Sequence, residues 1–163
     1  MEDKAPVFLD TNIILRWNVA EAPQHAAVRG AVTLLIGAGH PLWVSVQVMR
    51  EFAAVMTRPQ TFGSPLPESA VAERIRALVA RLNVAEETLV VHRKLLGLME
   101  SYPMGGKQIH DANIVATMLA FGIPILLTLN LSDFARFSNR ITLVSIDDVP
   151  ALVRSGPGNL SRS

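Results

Sequence analysis

Four acidic residues stand where a chain of this kind can bring carboxylates together: Asp10, Glu51, Asp111 and Asp133. Asp10 follows the apolar run Val7-Phe8-Leu9 and opens Asp10-Thr11-Asn12-Ile13-Ile14-Leu15, where a buried strand would run out into a helix. Open α/β sheets build their sites at such points. A carboxylate beside an apolar core is costly unless something pairs with it. Two carboxylates ~4 Å apart repel by about 4 kcal/mol at an effective dielectric of 20, so several together raise their own pKa values or call for a cation. The chain has no cysteine, which leaves oxygen and imidazole as metal donors, and hard oxygen ligands favour Mg²⁺ or Mn²⁺ over zinc or copper. Such a site activates a water and stabilises charge on a phosphoryl oxygen.

Each acid also has a simpler role. Asp10 can cap the next helix, Asp111 can serve as a first-turn dipole partner, Glu51 can be a solvated helix residue and Asp133 can cap the turn before Phe134. The combination points to a site more strongly than any one spacing does. Asn12 stands where a haloacid dehalogenase-type phosphatase needs a second aspartate, two residues after the first, which argues against that chemistry.

The elements that must position these acids alternate between strand-like and helix-period segments. That alternation predicts a three-layer α/β/α domain around a parallel sheet of four to five strands. Strands are expected at Val7 to Leu9, Leu42 to Val44, Leu82 to Val84, Ile125 to Thr128 and Ile141 to Ser145. Between the first two, Val28, Val32, Leu35 and Ile36 recur at helical spacing and Gly39 supplies a left-handed stop. Ser45 caps a helix through about Thr57, and Pro59 to Pro67 follows as a loop. Further helices are expected along Val71 to Leu82, Thr88 to Glu100 and Gln108 to Phe121, with Tyr102 to Gly106 as a break and Gly122 as a terminator. On this frame Asp10, Asp111 and Asp133 fall near strand-to-helix junctions, and a parallel sheet gathers such junctions along one edge.

At 163 residues one core is expected, burying roughly two-thirds of the unfolded surface. The domain is expected over residues 1–150, with 151–163 as a flexible, Gly- and Ser-containing tail. No apolar run reaches the ~18 residues of a membrane span. The first residues, Met1-Glu2-Asp3-Lys4, do not form a basic-then-apolar leader, so a cytoplasmic protein without membrane contact is expected. The net charge of +1 is far from the basic footprint of a protein that grips nucleic acid by charge alone. Lys107, after Gly105-Gly106, lacks the spacing and the following Ser or Thr of a phosphate-binding loop. His25, His40 and His92 have no ligand spacing and are expected to be structural or solvent-facing, and Asp147-Asp148 to cap a short final helix. Arg16, Arg50, Arg58 and Arg136 flank the acidic motifs and are candidates for phosphate contacts.

The hydrophobic-Asp10-Thr11-Asn12-hydrophobic start, the helical Glu51, Asp111 within His110-Asp111-Ala112-Asn113-Ile114-Val115-Ala116, and Thr128-Leu129-Asn130-Leu131-Ser132-Asp133-Phe134 resemble a PIN domain. Size and order are similar to VapC-type ribonuclease toxins of toxin–antitoxin pairs, from about Val7 to Val144. The resemblance implies a Mg²⁺- or Mn²⁺-dependent endoribonuclease acting on RNA, with Asp10 and Asp111 as the surest metal ligands and Glu51 as the family's second acid. At the fourth position it leaves two alternatives: Asp133 completes the cluster, or Asn130 lends a neutral oxygen to three carboxylates. Thr11, Asn12 and Thr128 would support the ligands or face the substrate. The resemblance further implies a homodimer and a small antitoxin that blocks the pocket. It leaves open a housekeeping nuclease in RNA processing, or a non-catalytic PIN-like binding module.

Overall fold

A computed structural model describes residues 3–156. Five short strands form one sheet: β1 (Val7–Leu9), β2 (Leu42–Ser45), β3 (Asn83–Ala85), β4 (Ile125–Leu127) and β5 (Thr142–Val144). Their spatial order is β3-β2-β1-β4-β5 and every pairing is parallel. Parallel neighbours need crossovers, and the crossovers carry the helices that cover the sheet. The result is the expected three-layer α/β/α arrangement.

The core follows from the strands. Val7, Phe8 and Leu9 of β1 and Ile125, Leu126 and Leu127 of β4 are fully buried, because a central parallel strand is covered on both faces and reads as an unbroken apolar run. The chain steps outward from β1 to β2 to β3, then returns across the sheet to β4 and continues to β5. The direction of winding therefore reverses between β1 and β4, and a crevice opens beyond their C-terminal ends. Leu9 pairs with Leu127, so the next residues, Asp10 and Thr128, stand side by side at the mouth of that crevice.

The helices are α1 (Thr11–Asn18), α2 (His25–Gly37), α3 (Val46–Met56), α4 (Glu68–Val79), α5 (Leu89–Ser101), α6 (Gln108–Phe121), α7 (Leu131–Phe134) and α8 (Val149–Ser155). Several ends have the chemistry read from the sequence. Ser45 caps α3 through its side chain and Gly122 closes α6 at φ 68, while Thr88, expected as the first residue of a helix, is the N-cap of α5. The Pro59–Pro67 segment is a loop with one antiparallel bridge, Gln60 to Gly63. It borders a cavity of about 400 Å³ lined by Val19, Met56, Phe62 and Leu66, together with Glu21 and Arg74.

Three expectations need correction. Strand β3 runs from Asn83 to Ala85, one residue later than expected, because Leu82 still closes the turn after α4 by donating its backbone N–H to Leu78. The expected flexible tail from 151 is helical through Ser155, and Val149 and Leu152 of α8 are fully buried. Residues 157–163, the rest of that expected tail, lie outside the described residues. Asp148 does not cap α8 through its side chain. It instead accepts from the backbone and hydroxyl of Ser145 in a capping box around a short turn that precedes the helix. No helix among the described residues is long and apolar enough to cross a membrane.

Candidate active site

Asp10 is the N-cap of α1 and is 7 % exposed. Its Oδ1 accepts the Thr11 backbone N–H at 2.7 Å, and its Oδ2 accepts the Thr128 hydroxyl at 2.7 Å and Asn12 Nδ2 at 3.2 Å. The Thr128 hydroxyl in turn accepts the Asn130 N–H at 3.0 Å, and Asn12 Oδ1 accepts the Leu129 N–H at 3.2 Å. Asn12 is thus a clamp between α1 and the end of β4. Asp10 caps α1, and its hydrogen-bond donors among the described residues are all neutral.

Glu51 lies at the middle of α3, half-buried, with one carboxylate oxygen accepting the Thr11 hydroxyl and the other accepting Gln47 Nε2 at 2.9 Å. Asp111 is in the first turn of α6 and half-buried, and Asp133 is exposed in α7. Glu51, Asp111 and Asp133 line one open cleft of about 590 Å³, together with Thr11, Gln47, Arg50, Arg58, Lys107 and His110. Asp10, the residue before Thr11, is not itself among the cleft-lining residues and is linked to them through the charges of Glu51 and Asp133. Asn130, the neutral alternative, is exposed at the N-cap of α7, where its side chain makes no capping bond, and it is not among the cleft residues.

The acids sense one another. Burial pushes the Asp10 carboxyl from 3.8 to about 6 against the hydrogen bonds of Thr128 and Thr11, with the charges of Glu51 and Asp133 adding to the rise. Asp111 also rises to about 6, first through burial and then through Asp10, Asp133 and Glu51, while His110 pulls it down. Among the described residues the only ion pair is Arg50–Glu87 at 3.0 Å, which involves none of the four acids. No three acids or histidines among the described residues are already arranged as a finished metal cage. In donor chemistry, an all-oxygen set of uncompensated carboxylates fits a hard divalent cation, and Glu51 and Asp111 are open enough to adjust.

Of the flanking cations, Arg50, Arg58 and Lys107 line the cleft. Arg136 points its guanidinium at the Pro103 carbonyl, 2.8 Å away, and packs over Phe137. Arg16 is also absent from the cleft lining. His25 and His40 donate through Nδ1 to the Arg16 and Ala5 carbonyls, each at 2.7 Å, and His92 is exposed.

The sequence reading missed a polar chain behind Glu51. Gln47, buried in α3, connects Glu51 to the backbone of His110 and to Asn113 on α6. Asn113 also reaches Glu87 at 3.4 Å, and Glu87 holds Arg50. One signal was present: Gln47 precedes Glu51 by four residues, the spacing of neighbours on a helix face. Nothing in the sequence marked Glu87.

A family model for the PIN domain matches residues 7–139. No curated protein matches the chain. Among solved structures, VapBC2 from Rickettsia felis, bound to a DNA fragment from its promoter, is similar at a TM-score of 0.60 and 17 % identity, over 85 % of this chain and 97 % of that one. VapBC-1 from nontypeable Haemophilus influenzae is similar at 0.60 and 20 % identity, over 86 % of this chain and 98 % of that one. VapC20 from Mycobacterium tuberculosis, a sarcin-ricin loop cleaving toxin, is similar at 0.56 and 17 % identity, over 74 % of this chain and 86 % of that one. At such identities these structures speak for the shared fold, while the family model spans β1 through the residues after α7 and takes in all four acids. The chain belongs to the PIN domain family.

Proposed function

We propose that this protein is a divalent-cation-dependent endoribonuclease that hydrolyses RNA phosphodiester bonds, and that it is the toxin of a toxin–antitoxin pair. The observation that carries the proposal is the gathering of Glu51, Asp111 and Asp133 in one cleft, coupled to Asp10, with no cation among the described residues paired to any of them. Asp10, Glu51, Asp111 and Asp133 would hold Mg²⁺, with Mn²⁺ as a substitute. When bound, the cation supplies an activated water and charge stabilisation at the phosphoryl oxygen.

The chain's own residues do the rest. Thr128, Asn12 and the Thr11 N–H orient Asp10, and Thr11 and Gln47 orient Glu51. Arg58 and Lys107 offer charge to the RNA backbone along the cleft, and the place of Asp133 in the cleft lining, together with its charge coupling to Asp10 and Asp111, favours it over Asn130 for the fourth position.

Two further features bear on its partners, and the first favours the toxin reading over a processing nuclease. The similar structures include toxin–antitoxin complexes, so a small antitoxin that covers the cleft is the expected partner. Leu89, Leu96 and Met99 of α5 are exposed apolar side chains on one helical face, which suits a homodimer.

The test is incubation with total RNA, with and without EDTA, comparing wild type with Asp111→Asn. Cleavage by wild type that EDTA and the substitution both abolish is expected. Cleavage that survives EDTA, or none under any condition, would refute the proposal.

A further inference from the structure

Gln47 is 3 % exposed and stands one helical turn before Glu51 on α3. Its Nε2 donates to Glu51 Oε1 and to the His110 carbonyl, both at 2.9 Å, while its Oε1 accepts Asn113 Nδ2 at 2.7 Å. A carboxylate and a carbonyl can only accept, so the NH₂ end of the Gln47 amide must face Glu51 and His110, and Asn113 is left to serve the oxygen. The amide therefore has one possible orientation. It is a buried polar group with both of its N–H donors and its oxygen in use.

The bridge joins two helices that otherwise belong to different packing neighbourhoods: α3 packs mainly on α1 and α4, and α6 on α5. His110, whose carbonyl receives the bond, is the residue before Asp111. Glu51 and Asp111 are thus tied through a single side chain on one side and share the cleft on the other. Resting on the proposed cation-dependent nuclease, we infer that Gln47 is a positioning residue, which holds Glu51 against the first turn of α6 and so sets the spacing of the Glu51 and Asp111 carboxylates for a divalent cation. Asn113 serves it by fixing the amide. Removal of a partner that orients a metal-binding side chain typically weakens metal affinity about 10- to 100-fold.

The test uses the whole chain and Mn²⁺ alone as probe. Gln47→Met keeps the length of the side chain and removes its polar atoms. By calorimetric titration at neutral pH it should bind Mn²⁺ about 10-fold more weakly than wild type. With RNA, kcat should fall at fixed Mn²⁺ while KM stays within about twofold, and raising Mn²⁺ should restore the rate; a circular dichroism spectrum in EDTA like that of wild type separates this from an unfolded fraction, which bound Mn²⁺ would also recover. If Gln47→Met does not fold, Asn113→Ala, at a half-buried position, should show a weaker loss of Mn²⁺ affinity in the same direction. A folded variant that binds Mn²⁺ like wild type overturns the inference and leaves the nuclease standing. Wild type that neither binds Mn²⁺ nor cleaves RNA overturns both.

Discussion

Replacing Asp10 by asparagine should flatten the pH dependence of the metal-free protein and abolish most of its stabilisation by Mn²⁺. The Asp10 carboxyl is raised from 3.8 to about 6, chiefly by burial. A carboxyl that holds its proton more tightly in the folded state favours folding at low pH. That benefit is whole below about pH 4 and is lost as pH rises through about 6. At about 1.36 kcal/mol per pH unit, the shift from 3.8 to about 6 amounts to about 3 kcal/mol, of which about 1.3 kcal/mol falls between pH 5 and 7. Asp111 moves the same way, and its half-open position reduces its share to less than half of that. Asparagine keeps one acceptor for the Thr11 N–H and loses the second, which serves Thr128 and Asn12, at a cost of about 1–3 kcal/mol. The two proteins should therefore be near balance at pH 7, and the variant less stable at pH 5.

Thermal unfolding followed by circular dichroism in EDTA measures this directly. Between pH 5 and 7 the wild-type midpoint should fall by about 3–5 °C more than that of Asp10→Asn, since each 1 kcal/mol moves a domain of this size by about 2–4 °C. Mn²⁺ should then raise the wild type at pH 7, by about 2.7 kcal/mol at a hundred times its dissociation constant. It should raise the wild type little at pH 5, where protons hold the ligands. A metal-free wild type that gains stability relative to Asp10→Asn between pH 5 and 7 would refute the reasoning.

Four shorter predictions accompany it. Asp133→Asn should lower RNA cleavage at least 10-fold more than Asn130→Ala does, because only Asp133 lies in the cleft; equal effects in a cleavage assay would reopen the fourth position. Arg58→Ala and Lys107→Ala, at exposed cleft positions, should each weaken RNA binding and reduce the magnitude of its salt dependence by about one unit of slope, as read from filter binding across salt. Leu96→Glu on the exposed face of α5 should shift the protein towards monomer in sedimentation analysis, with no loss of helix signal. Leu152→Ala in α8, where the leucine is fully buried, should destabilise the fold by about 2–5 kcal/mol in urea unfolding; a cost near zero would mean that α8 does not belong to the core.

How much could be read from the chain depended on how local each signal is. Val7-Phe8-Leu9 and Ile125-Leu126-Leu127 declare themselves because central parallel strands are apolar on both faces. The bounds of α6 were legible to the residue, since Gly122 adopts the left-handed conformation that ends it. The edge strand β3 begins with the exposed Asn83 and has only Ala85 fully buried, so the stronger apolar character of Leu82 pulled the expected start one residue early. A short final helix was expected after Asp147-Asp148, but its extent to Ser155 was obscured by the Gly- and Ser-containing stretch after it, although Val149 and Leu152 carry its buried face. The gathering of the acids at one sheet edge was legible, but the individual hydrogen bonds across the fold were not. Thr128 meets Asp10 across 118 positions and Asn113 meets Gln47 across 66; the first needs the strand order, and the second needs the relative placement of two helices.

The electrostatics of the cleft connect the fold to the proposed chemistry. The β1–β4 register places Asp10 and Thr128 together beyond the strand ends, and the resulting neutral donors are enough to orient the carboxylate but not to offset its burial, since its pKa still rises. A lysine or arginine placed beside Asp10 would relieve that cost and also occupy the place of a cation. None of the cations near the cleft makes an ion pair with an acid of the site among the described residues: Arg50 is held by Glu87, Arg136 by the Pro103 carbonyl, and Arg58 and Lys107 line the cleft without pairing to Asp10, Glu51, Asp111 or Asp133. Destabilisation of the metal-free state at neutral pH and affinity for a divalent cation are, on this view, one property. A substitution that neutralises an acid should relieve the first and weaken the second together, whereas one that only loosens its orientation, as at Gln47, should weaken cation binding without relieving the charge.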